Sequence, residues 1–191
     1  MCRLSRQKAS VHSCLYHNGM APFGDIDCGI IQGDTQGLPE FGTPIACDVL
    51  QQTKPASVSD LIKISGLLHG TDTWCTNAEN LLRDGVCTLS QVVSSRDDVM
   101  LTLLSHGMDR YTAFTIMEHV RKGKGLTEQQ SEAMRACGIE ERYIASCRRI
   151  RYLFPKAHAV ACVMMALRFG YYKVYHADAF ERVISAHKDV I

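Results

Sequence analysis

The chain has 191 residues, 46% of them apolar and 21% charged, with 21 Lys+Arg against 20 Asp+Glu. That composition excludes wholesale disorder, which needs low hydrophobicity and high net charge, and it allows one domain with a real core and at most a small extension. The formal net charge of +1 by itself points to no nucleic-acid partner.

Residues 1–36 hold Gly, Asn, Asp, His and Cys with no sustained period of 2 or 3.6, and read as an irregular segment. No apolar stretch follows the basic start, so a secretory signal is not expected. The longest apolar run, Ala159 to Leu167, has nine residues. A membrane span needs roughly 20, and the expectation is a soluble, cytoplasmic chain. The nine cysteines are odd in number and contain no CxxC pair, which suits reduced thiols. His12, Cys14, His17 and Cys28 are zinc ligands by type, but their spacing matches no finger or ribbon. Asp25-Ile26-Asp27 lies in the same unpatterned stretch and reads as loop chemistry. The chain is expected to bind no metal of its own.

From Leu38 onward helix punctuation recurs. Pro44 suits the first turn of a helix ending before Lys54-Pro55. Ser57 caps a short helix, Val58 to Ser65, closed by Gly66. Asn77 caps Ala78 to Arg83. Ser95 caps Arg96 to His106, with Asp97 and Asp98 in the first turn, where the helix dipole favours negative charge, and Gly107 as the stop. Asp109 starts a helix to about Lys122 whose apolar face is Ala113, Ile116, Met117 and Val120. Thr127 and Gln130 form a capping box for a helix that Gly138 ends. Glu140 to Leu153 reads as a further helix, with Tyr143, Ile144, Cys147 and Ile150 on one side. Pro155 opens the longest, to about His176. No segment alternates convincingly as a strand. The expected fold is all-α, with seven or eight short helices.

The near-zero total charge conceals an asymmetry. Residues 1–95 carry 6 Lys+Arg and 9 Asp+Glu; residues 96–191 carry 15 and 11. Between Arg121 and Lys173 there are 11 basic and 4 acidic residues, +7 over 53 positions. Such a block can neutralise phosphates, although most charge runs are solvated helix faces. Three places sharpen it. Arg121-Lys122-Gly123-Lys124-Gly125 is a basic turn whose glycines allow close backbone approach, but its spacing is not that of a P-loop. Arg148-Arg149-Ile150-Arg151 sets several guanidinium groups on the solvent side of one helix. Lys156 and His158 sit at a helix N-terminus, where free N–H groups and the dipole favour an anion such as a triphosphate. A lysine there is unfavourable for the helix alone. No Walker, G-x-S-x-G or H-E-x-x-H pattern is present, and no complete catalytic constellation is legible.

Several segments in order resemble a known family: Gly37-Leu38-Pro39-Glu40-Phe41-Gly42-Thr43, Thr53-Lys54-Pro55, Ile64-Ser65-Gly66-Leu67-Leu68-His69-Gly70-Thr71-Asp72, Cys87-Thr88-Leu89-Ser90, Arg96-Asp97-Asp98-Val99-Met100, Arg121-Lys122-Gly123-Lys124-Gly125-Leu126-Thr127 and Phe154-Pro155-Lys156-Ala157-His158-Ala159. Together they are similar to the PolC-type alpha subunit of bacterial DNA polymerase III, a replicative DNA-directed polymerase and nucleotidyltransferase. The resemblance covers about Gly37 to His176. It implies a helical fingers domain over 37–176, flanked by an unfamiliar segment 1–36 and a divergent tail 177–191.

The fingers help bind the incoming deoxynucleoside triphosphate and the template. By motif, Arg96, Lys156 and His158 are nucleotide-binding candidates that contact the triphosphate or shape its pocket. Arg121, Lys122 and Lys124 are candidates for DNA-backbone contacts, joined by Arg148 and Arg149 from the basic helix. His69 lies in a family motif without an assigned role. The resemblance further implies template-primer DNA, the palm, the thumb and replisome components such as the sliding clamp as partners, and no membrane. It implies Mg²⁺ in the complete enzyme, on palm carboxylates that these 191 residues do not contain, so this chain alone is expected to be an inactive fragment. Two other readings remain: a small DNA-binding module, since Ile64 to Gly70 loosely resembles a helix–hairpin–helix turn, and a non-functional truncated product.

Overall fold

A computed structural model describes residues 35–186 of the chain. The expected segment 1–36, with its His12, Cys14, His17, Cys28 and Asp25-Asp27 groups, lies almost wholly outside the described residues.

Among the described residues the fold is all-α: nine α-helices and no β-strand, with a single isolated bridge between Thr71 and Tyr152. Helix α1, Pro44–Thr53, starts with Thr43 Oγ1 accepting from the Ala46 N–H and stops at Lys54, before Pro55. Helix α2, Val58–His69, is capped by Ser57 but runs past Gly66, where the sequence had suggested its end. Gly66 is interior because a Cβ there would come 2.5 Å from the Ser94 carbonyl; the glycine admits a neighbouring segment instead of stopping the helix. The Ile64–His69 stretch is therefore helix, not the phosphate-holding turn of a helix–hairpin–helix.

A π-helical turn, Trp74–Ala78, leads into α3, Glu79–Arg83. Asn77 does not cap it. Its side chain is buried and its Oδ1 accepts from Ser146 Oγ at 2.9 Å, satisfying two polar groups inside the fold. After a 3₁₀ turn at Leu89–Gln91 come α4, Arg96–Ser105; α5, Arg110–Arg121; α6, Glu128–Ala136; and α7, Glu141–Arg149. Ser95 with Asp98, and Thr127 with Gln130, make reciprocal capping boxes, and Asp109 accepts from two N–H groups of α5. Helix α8, Lys156–Tyr175, is the longest, and α9, Ala177–Ala186, follows at once, so the described part of the divergent tail is helix.

The expected helix to Leu153 ends at Arg149. Ile150 to Pro155 runs extended. Pro155 disfavours helix in the residue before it, and the buried Ile150 and Leu153 reach the core while their neighbours' backbone groups find partners elsewhere in the fold.

The buried side chains divide into two cores. The first gathers Leu50, Leu61, Ile64, Leu67, Val163, Leu167 and Phe180 with others, joining α1, α2, α8 and α9. The second gathers Val99, Leu103, Ile116, Val120, Met134, Ile144 and Leu153 with others, from α4 to α7 and the extended segment. The adjacent Val92 and Val93 belong to different cores, which puts the boundary at that peptide. Among the described residues no helix is long and apolar enough to cross a membrane.

Candidate phosphate-binding seam

The extended segment Arg151–Pro155 joins the two lobes through its backbone. Thr71 donates to the Tyr152 carbonyl at 3.1 Å, and the Arg151 N–H donates to the Thr71 carbonyl at 3.0 Å. The Leu153 N–H donates to the carbonyl of Arg121 at the end of α5 (3.1 Å), and the Arg96 N–H donates to the Phe154 carbonyl (3.1 Å). One step further, the Lys156 N–H donates to Asp97 Oδ2 at 2.6 Å. Four places remote from one another in sequence (the end of α2, the start of α4, the end of α5 and the start of α8) thus meet at one short extended segment.

Arg96 and Lys156 are each the first residue of a helix, and the hydrogen bonds above hold those two N-termini together. Each cation there opposes its own helix dipole. Both side chains are half-buried, and neither forms an ion pair with any described residue. The anion at the start of α8 is Asp97 of the chain itself, so the Lys156 N–H is already taken.

His158 is exposed but packs against its neighbours. Its ring stacks on Phe154 with centroids 4.9 Å apart and an interplanar angle of 25°, and packs edge-on against His69 at 4.9 Å. Its Nε2 lies 3.7 Å from Cys162 Sγ. The Cys162 thiol is pushed up by burial and by the carboxylate of Glu40.

The other basic candidates divide. Arg121 and Lys122 both bind Glu118, Lys122 at 2.7 Å, and the hydrogen bonds from Arg121 and then Lys122 hold the Glu118 carboxyl at about 2. Their combined charge is therefore partly cancelled at its source. Lys124 is exposed and forms no ion pair with a described residue. Gly123 lies against the seam at positive φ, where a Cβ would be driven into the Arg151 carbonyl. Its close approach is to the chain itself, not to a ligand. Arg148 is turned to α6, donating to Glu128 Oε2 (3.1 Å) and Ser131 Oγ (2.8 Å), while Arg149 is exposed and makes no ion pair with a described residue. The structure thus brings Arg96, Lys156 and the end of α5 together, and leaves Arg148 outside that group.

A polar strut closes the seam elsewhere. Lys63 Nζ of α2 donates to the Val92 carbonyl at 2.8 Å and to Asp98 Oδ2 of α4 at 2.9 Å. Burial pushes the Asp98 carboxyl up, but Lys63 and the Ser94 hydrogen bonds outweigh it and hold it below the ordinary value. A cleft of about 320 Å³ beside this strut is lined by Lys63, Asp98, Arg142 and Tyr143 among others, and by none of Arg96, Lys156 or His158. Asp97 and Asp98 are adjacent in sequence but are spent on different partners, so they do not fit a shared Mg²⁺.

Sequence reasoning missed the second duty of Asp97, which caps α8 across the seam. It also left His69 and Cys162 unassigned. The four-residue step from His158 to Cys162 on one helix face was the available signal.

The pattern of the bacterial DNA polymerase III alpha subunit finger domain matches residues 29–141. The chain is 53% identical over 158 residues to the DNA polymerase III PolC-type of Listeria innocua, covering 83% of this chain and 11% of that protein. It is 51% identical over 146 residues to that of Caldanaerobacter subterraneus subsp. tengcongensis (76% and 10%), and 50% over 143 residues to that of Bacillus subtilis (75% and 10%). The chain spans about a tenth of the length of these relatives.

Proposed function

Because the chain belongs to the PolC-type DNA polymerase III alpha-subunit family, with its match in the fingers region, we propose that its seam holds the triphosphate of an incoming deoxynucleotide beside template DNA. The observation that carries the reading is the pair Arg96 and Lys156: two cations at two joined helix N-termini, each costly to its own helix and unpaired with any described carboxylate. Positive groups placed beside a transferring phosphoryl group stabilise the charge that develops there. His158 shapes the pocket floor through Phe154 and His69 and does not reach the phosphates. Lys124 and Arg149 contact the DNA backbone, with Arg121 and Lys122 contributing what Glu118 leaves of their charge, and Arg148 the weakest contact of the set.

In this reading the 191 residues work with template-primer DNA, with palm and thumb domains and, in a replisome, with a sliding clamp, in the cytoplasm. Mg²⁺ is held by palm carboxylates and not by this chain, so the isolated chain extends no primer. The test is a full-length PolC-type polymerase in which residues 37–176 of this chain replace the corresponding stretch. Arg96→Ala or Lys156→Ala in that chimera raises the nucleotide KM or lowers kcat by about tenfold or more. Unchanged kinetics in both would refute the assignment, and primer extension by the isolated chain would refute the division of labour.

A further inference from the structure

Beside the seam, two helices bring three metal-binding side chains to one point, with Glu40 against one of them. His158 and Cys162 lie one turn apart on α8, so both face the same way. His69 comes from the last turn of α2. Glu40 comes from the turn before α1 and is one of three described non-glycine residues with positive φ, at 68°. One ligand atom each of His69, His158 and Cys162 lies within 4.8 Å of the others. Cys162 Sγ is 3.8 Å from His69 Nε2 and 3.7 Å from His158 Nε2. Zinc bond lengths place neighbouring N and S ligands of a tetrahedron about 3.5 Å apart, so these edges already approach the required size.

The hydrogen bonds of His69 make a stronger argument. Its Nδ1 lies 2.7 Å from the Ser65 carbonyl, an acceptor only, so Nδ1 carries a proton and donates. Its Nε2 then faces Glu40 Oε2 at 2.9 Å and Cys162 Sγ at 3.8 Å. The Nδ1–carbonyl bond is the outer-shell support that fixes the tautomer and aims Nε2 at a metal.

We propose that His69 Nε2, His158 Nε2 and Cys162 Sγ hold a zinc-class divalent cation, with solvent in the fourth tetrahedral position. The ion ties the end of α2 to the first turns of α8, beside Lys156. On binding, the Cys162 thiol releases its proton to solvent and the thiolate sulfur takes the coordination position. Sequence spacing concealed the site because its ligands stand at positions 69, 158 and 162. The proposal does not depend on the nucleotide reading, and its test uses metal alone.

The purified, metal-free 191-residue chain is titrated with Co²⁺, whose spectrum reports tetrahedral geometry and thiolate ligation. One equivalent giving a tetrahedral spectrum with a sulfur-to-cobalt band is expected. Cys162→Ser and His69→Ala should lose that band and weaken binding by at least ~100-fold, with unchanged circular dichroism. A band that survives in Cys162→Ser would place the metal on other cysteines and overturn the proposal, as would absence of tetrahedral binding in the parent chain. If the variants do not fold, the parent chain decides alone. Zinc at 100 times its Kd should slow alkylation of Cys162, followed by mass spectrometry, about 100-fold. Unprotected Cys162 would equally overturn the site.

Discussion

The two lobes are built by different rules. In the second, helices adjacent in sequence pack on one another, α4 on α5 and α6 on α7, and amphipathic faces such as Ala113, Ile116, Met117 and Val120 are buried as units. In the first, α2 packs chiefly on α8, across about ninety residues of chain. The contrast extends to charge. Cations of the second lobe are largely matched with nearby carboxylates, Arg135 with Glu128 and Glu141, Arg121 with Glu118. The two cations where the lobes meet, Arg96 and Lys156, have no such match among the described residues. Local packing pairs several cations of the second lobe, though not Lys124 or Arg149, while the seam leaves both of its cations without an ion pair among the described residues.

The largest test of that contrast is to cut the strut between the lobes. Asp98→Asn removes the charge facing Lys63 while both side chains stay largely shielded from solvent. Denaturant unfolding should show a loss of about 3 kcal/mol, since a buried cation is left unpaired. The pH dependence follows from the same group. Its folded pKa lies below the ordinary 3.8, so its contribution is fully present above the unfolded value and fades as pH falls through the lower, folded one. Glu118, held at about 2 against an ordinary 4.5, acts in the same sense. Below about pH 4 the parent should lose stability faster than Asp98→Asn. Parallel acid profiles would mean that the strut carries no charge-dependent stability.

Two glycines of one turn give the next comparison. Gly123→Ala forces a Cβ into the Arg151 backbone and should cost about 2–3 kcal/mol, loosening the seam. Gly125→Ala has the same sign of φ but open space around it, and should cost only about 1 kcal/mol. Equal losses would mean that contact with the extended segment contributes nothing.

Legibility in the sequence followed the same division. Three side-chain caps of the second lobe (Ser95, Asp109, Thr127) were readable, because a cap is a local arrangement of side chain and backbone. The errors fell where distant chain intervenes. Gly66 looked like a stop and is a contact with Ser94. Asn77 looked like a cap and is a buried partner of Ser146. The extended segment after Arg149 looked helical because its apolar spacing continues, while its hydrogen bonds go to Thr71, Arg121 and Arg96. For the site, the basic residues and their motifs were legible. Which of them are already neutralised was only partly legible: Glu118 stands three and four residues before Arg121 and Lys122, but Glu128 meets Arg148 only through the fold.

The central claim is that the seam makes Arg96 and Lys156 parts of one anion site. A double-mutant cycle tests it directly, with an NMR titration of the 191-residue chain by a deoxynucleoside triphosphate at low ionic strength. Arg96→Ala and Lys156→Ala should each weaken binding about tenfold, and the double variant should lose less than the sum by at least ~0.5 kcal/mol, because both act on the same phosphates. Additive losses, or binding that neither substitution changes, would contradict the account.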